Sequence, residues 1–243
     1  MDAKNTQSSG KMHFPLTAYQ IKARLFPSFV TIVLPILIFN HFYASEEFAK
    51  FVGNVLFAKI SSNVTIVFVA LYFMSEIGRL LGKHIFERSF FNEEKHMPTT
   101  NMLLYSDKTY SETHKDFLRK KIYKDFKVKL LNKEEELSSE DMARTKIVET
   151  MALIRKRLHS NQFLLQHNIE YGAARNAIGG AVIGAVLSII NILFFIYAFR
   201  VPLACEISTI MLIVYILIIL FSKIIIDFYG RNYAKILFRE YLS

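Results

Sequence analysis

His167, Glu170, Tyr171 and Arg175 recur at spacings of three and four residues, which brings them to one quadrant of a helix. Arg175 and Asn176 are the last polar residues before a long apolar run. Two readings fit such a group. It could anchor the entry to a membrane through structural hydrogen bonds. It could also be a coupling hinge, telling the apolar helix what an adjoining domain has bound.

Other residues suit binding. Arg119, Lys120 and Lys124 belong to a basic stretch interleaved with Phe117, Tyr123 and Phe126. That pattern fits phosphate-rich ligands, anionic lipid or stacking on bases, or else a solvated face near a membrane. Arg155, Lys156 and Arg157 form a basic knot. Pro98, Thr99 and Thr100 read as an exposed loop, and exposed loops carry binding more often than regular elements do. Glu76 and Arg79, spaced i,i+3, and Lys223 and Asp227, spaced i,i+4, can pair at the ends of apolar runs, or line a pore mouth.

Catalysis finds no support. The chain has no GxSxG elbow, P-loop, HExxH or Gly-rich nucleotide fingerprint. Cys205 is the single cysteine, which excludes an internal disulfide and a Cys-based metal site. His84 and His96 are too far apart to argue a metal from spacing. No cofactor, metal or catalytic residue is expected.

The elements that must position these groups follow from composition. The 243 residues are 52% hydrophobic, with 22 Phe, 12 Tyr and no Trp, and carry a net charge of +9. The apolar residues lie in runs of membrane-spanning length. Between them, residues 83–175 hold 18 of the 30 Lys/Arg and 14 of the 21 Asp/Glu, a net +4 from 18 − 14. The expected fold is an all-α integral membrane protein. Its four transmembrane helices form two hairpins, with a helical cytosolic insert between helices 2 and 3. Hairpin 1 covers residues 24–82, with spans at 24–43 and 60–82. Hairpin 2 covers residues 176–227, with spans at 177–199 and 208–226.

Residues 1–23 form an N-terminal cytoplasmic segment with no apolar leader, so the first span is expected to act as its own signal. Residues 228–243 read as a basic, aromatic tail able to lie along the membrane surface. Pro27 and Pro35 are tolerable in a membrane helix because neighbours re-satisfy freed backbone groups, and Pro35 predicts a kink. Within the insert, a basic helix is expected over 112–131. From Met142 the helical pattern runs on directly into the third span, with Ser138 or Ser139 as its N-cap.

Short loops carry one Lys/Arg each (Lys50 and Arg200), while the N-terminal segment, the block and the tail are rich in them. The positive-inside rule then puts both termini and residues 83–175 in the cytoplasm. In the third span, Ala173, Ala177, Ala181 and Ala185 recur at i+4 beside Gly180-x-x-x-Gly184. Small residues let membrane helices approach closely, either within one protomer or between protomers.

This layout of two spans, a charged helical block and two spans, with no enzymatic motif, resembles the small membrane effector and accessory proteins of bacterial antiphage systems that accompany CRISPR or nucleotide signalling. The resemblance lies in layout, so it assigns no residue a role. It implies a homo-oligomer in the bacterial inner membrane that gates or permeabilises the bilayer. The trigger, arriving through the cytosolic domain, would be a nucleotide, a nucleic-acid-containing ligand or a protein. The partners expected are membrane lipid, further copies of the chain and that trigger. The alternative is a non-conducting anchor or regulatory subunit that recruits a cytosolic complex.

Overall fold

The computed structural model describes residues 19–43 and 60–243, and every regular element among them is a helix. The loop expected between the first two spans, and most of the N-terminal segment, lie outside the described residues. Helix α1 is Gln20–Tyr43. Helix α2 starts with Ile60–Leu81 and continues without a break through Gly82–Glu87 and Arg88–Phe91. Then come α3 (Pro98–Asn101), α4 (Glu112–Phe126), α5 (Lys133–Ser138) and α6 (Glu140–Arg157). Helix α7 is Gln162–Phe194, prolonged by Phe195–Phe199, and is followed by α8 (Pro202–Leu220) and α9 (Ser222–Leu242). Three of these, α1, α7 and α8, are long and apolar enough to cross a membrane.

Helix α7 is the axis on which the others pack. Asn176 meets Ala23 and Asn191 meets Pro35, so α1 and α7 run in the same direction. The backbone at Gly78 approaches Gly180, and that at Gly82 approaches Arg175, so α2 runs against α7. Tyr215 packs at Gly184, and the tight turn at Arg200, in the left-handed region at φ 52°, sends α8 back along α7.

The prolines of α1 explain much of its geometry. A proline brings no N–H to the carbonyl four residues back. Pro27 therefore leaves Ala23 without that donor, and Pro35 does the same to Thr31. Helix α1 widens its turns just upstream of each proline, over Gln20–Leu25 and Phe29–Val33. Side chains from other helices reach both carbonyls. Asn176 Nδ2 donates to Ala23 O at 2.6 Å, and the Tyr215 hydroxyl donates to Thr31 O at 2.7 Å.

The remaining helices build a polar domain with its own core: Met102–Leu104, Leu118 and Ile122 of α4, Ile147, Met151 and Ile154 of α6, Leu164 at the start of α7, and Ala234, Leu237 and Phe238 of α9. Here the structure corrects four sequence expectations. First, residues 228–243 do not lie apart as a surface tail. They are most of α9, and their apolar stripe meets the polar domain; Tyr241 also donates to Asp125 Oδ2 at 3.0 Å. Second, the span expected at 208–226 does not continue as one helix. Helix α8 ends at Leu220, Phe221 leaves helical geometry with ψ 7°, and α9 begins at Ser222. Asp227 accordingly pairs with Arg231, one turn further into α9.

Third, the basic helix stops at Phe126 rather than 131, because Lys127 turns left-handed at φ 59°. Fourth, α6 and α7 are separate. Asn161 starts α7 by accepting Leu164 N–H at 2.9 Å, and its amide donates to Glu240 at 2.8 Å, tying that start to α9. Ser139 does occupy the position before α6, although its side chain makes no capping bond, while Glu140 and Asp141 stand in the first turn.

Candidate functional site

The group at residues 167–176 divides between two partners. His167 Nδ1 and Glu170 Oε2 lie 3.0 Å apart on the outer side, where Gln166 also reaches Glu170. Tyr171 and Arg175 instead converge on Glu87 of α2. The Tyr171 hydroxyl donates to Glu87 Oε2 at 2.7 Å, and Arg175 Nη1 donates to the same oxygen at 2.8 Å. Glu87 is only 8% exposed, so this is a paired and hydrogen-bonded buried charge. It lies 84 and 88 positions from its partners, so no local spacing announces it. Asn176, fully buried, faces the other way, onto α1.

Beside this cluster is a cavity of about 330 Å³ at the meeting of α2, α3, α6, α7 and α9. Lys83, Glu94, Thr99, Arg155, Asn168 and Tyr233 are among its lining residues, with Glu87, Tyr171 and Arg175 at one wall. A second cavity, of about 500 Å³, shares Lys83, Glu87, Glu94, Met97 and Arg155 with the first. The Glu94–Arg155 pair is thus part of a common wall. Both Arg155 Nη atoms donate to one carboxylate oxygen, Glu94 Oε2, at 3.0 Å, while Arg155 Nε is buried with no partner.

Glu94 is presented by an unusual turn. Asn92, Glu93 and Glu94 have φ values of 41°, 54° and 74°, three consecutive non-glycine residues in the left-handed region. Each such residue costs on the order of 1 kcal/mol, and the cost is tolerated only where surroundings fix the conformation. The surroundings here are the Arg155 pair and the Thr100 hydroxyl, which donates to Glu94 O at 2.8 Å.

The turn corrects the reading of Pro98-Thr99-Thr100 as an exposed loop. Pro98 opens the short helix α3, and both threonines are buried, Thr99 at 2% exposure with its hydroxyl unpartnered. Of the basic candidates, Arg119 is not a free binding face. Its guanidinium donates to Leu131 O, to Leu103 O at 2.7 Å and to Glu136 at 3.3 Å, and lies over the Tyr105 ring. Lys120 and Lys124 are exposed on α4. Arg157 pairs with Asp125 at 3.1 Å, leaving Arg155 as the member of the basic knot that faces the cavities.

At the end of the apolar bundle, Glu76 pairs with Arg79 as the spacing suggests and also with Arg24 Nη1 of α1 at 3.0 Å. The small-residue stripe serves packing inside the chain. A methyl on Gly180 would strike Thr31 Oγ1, and one on Gly184 would lie 2.6 Å from Thr31 O and 2.8 Å from the Tyr215 ring. Ala181 is fully buried, and Ala177 is half-buried beside it. Gly179 and Gly82 let α2 and α7 touch through backbone, since a methyl at Gly179 would meet the Gly78 carbonyl.

No family model matches the chain, and neither a curated protein nor a solved structure matches it.

Proposed function

We propose that the protein is a membrane effector whose polar domain senses a ligand or partner and gates or permeabilises the bilayer. In this reading α1, α2, α7 and α8 cross the membrane as two hairpins, and the polar domain and both termini face the cytoplasm. Distribution of Lys/Arg supports that orientation. The bacterial inner membrane and an antiphage role follow from the resemblance in layout, as does assembly of several copies around a pore.

The observation that carries the proposal is the continuity of α7. One helix supplies Leu164 to the core of the polar domain and Gly180, Gly184 and Asn191 to the apolar bundle. Helix α2 likewise runs from the bundle to Phe91. A shift in the polar domain therefore has a stiff path into lipid. Expression in cells loaded with a potential-sensitive dye tests this. Depolarisation supports a gated effector; a potential held under any trigger, with a monodisperse monomer in detergent, removes it.

A non-conducting anchor is the second reading. It is favoured by the use of Gly180 and Gly184 against Thr31 and Tyr215 of the same chain, which leaves those glycines no role between protomers. Co-purification of a cytosolic complex without any change in membrane potential would select it.

A further inference from the structure

The wall of the first cavity combines three features. Its cations outnumber its carboxylates: Lys83, Arg155 and Arg175 stand against Glu87 and Glu94. Arg175 is committed to Glu87, and Lys83 has no ion-pair partner among the described residues. Donors there are incompletely used, since Arg155 Nε and the Thr99 hydroxyl are buried without partners. Glu94, the acid that neutralises Arg155, ends a turn of three consecutive left-handed residues that this pair helps to hold.

We propose that this wall is a binding site for a phosphate monoester, which takes Arg155 from Glu94. A guanidinium matches phosphate bidentately, and a phosphate offers three terminal oxygens where a carboxylate offers two. With Arg155 held by two of its oxygens, a phosphate keeps a third for Lys83 or the Thr99 hydroxyl, which line the same cavity. Glu94 is then the internal stand-in, occupying the guanidinium until phosphate displaces it. Displacement frees the Asn92–Glu94 turn, which joins the end of α2 to α3, so binding is felt at the helix that leads into the bundle. The first cavity, at about 330 Å³, has the volume of a small-ligand pocket.

The inference rests on the preceding functional reading only for its consequence in the membrane; the binding stands or falls separately. Calorimetric titration of the full chain in nanodiscs is the test, with AMP as the soluble probe and phosphatidic acid, built into the discs, as the lipid one. Binding of either is expected. Glu94→Gln removes the competitor and should tighten it about tenfold, whereas Arg155→Gln should weaken it about tenfold or more. Thr99→Val is a milder second variant, expected to weaken binding several-fold.

AMP binding would identify a soluble ligand, and phosphatidic acid binding a lipid headgroup. Failure of both probes to bind wild type and Glu94→Gln would overturn the site, as would unchanged binding in folded Arg155→Gln or Thr99→Val. Binding without any ion flux would leave the site standing and remove the gate.

Discussion

The Tyr215 hydroxyl donates at 2.7 Å to the carbonyl of Thr31, one of the two from which the prolines of α1 withhold the N–H four residues on. Inside an apolar bundle such a carbonyl needs a partner from another helix. Tyr215→Phe should therefore destabilise the bundle by about 1 kcal/mol. Pro35→Ala restores a helical N–H to Thr31, so in that background the same substitution should cost less. Unfolding in detergent of both single variants and the double variant measures the coupling, and equal costs in both backgrounds would refute it.

Glu87 neutralises Arg175 at the junction of the polar domain and the bundle. Glu87→Gln leaves a largely buried guanidinium without its counter-charge, at a cost of about 3 kcal/mol. Removing the cation as well, in Glu87→Gln with Arg175→Met, should recover much of that loss. Thermal unfolding of the single and double variants checks this; a double variant weaker than Glu87→Gln would contradict it.

Phe238 is fully buried among α4, α6 and α9. Phe238→Ala should cost about 3–5 kcal/mol. The loss should appear in the polar domain, read as faster proteolysis between α3 and α6. A residue on a tail at the membrane surface would show almost no effect.

Lys115 is 1% exposed and donates its ammonium protons to the carbonyls of Leu104, at 2.6 Å, and Asp107. Burial holds its pKa below the ordinary lysine value, partly offset by Asp107 and Glu136. In the unfolded chain it keeps its proton up to pH about 10.4. Between the folded and unfolded values the unfolded state binds more protons, so this residue makes stability rise with pH over that window. Tyr110 and Tyr241, whose pKa values burial raises, act in the opposite sense above pH about 10. The test is therefore a difference. Relative to Lys115→Met, wild type should gain stability as pH approaches 10, measured by urea unfolding; parallel curves would contradict the shift.

The apolar helices and the pairing of Glu76 with Arg79 were legible in sequence because each rests on local spacing. The role of 228–243 was half legible. Ala234, Leu237, Phe238 and Tyr241 follow the i, i+3, i+4, i+7 pattern of an amphipathic helix. That pattern is the same whether the stripe meets lipid or protein, and only the partner residues on α4 and α6 decide. Glu87 was illegible for a different reason: its meaning comes from Tyr171 and Arg175, on a helix brought back by the fold. Thr99 and Thr100 misled because proline and threonines mark a break in helix, which is true here, without saying whether the break is exposed. The small-residue stripe was read correctly as a close approach, while the choice between an internal and an external partner needed Thr31 and Tyr215.

The coupling of polar domain to membrane is tested most directly by ion flux. The full chain would be reconstituted in liposomes carrying a potassium diffusion potential, with insertion verified by protease accessibility. The account predicts that the potential collapses in protein-containing vesicles when AMP is added or phosphatidic acid is included, and holds in protein-free ones. A potential that holds in vesicles with inserted protein, with either probe present, would contradict it.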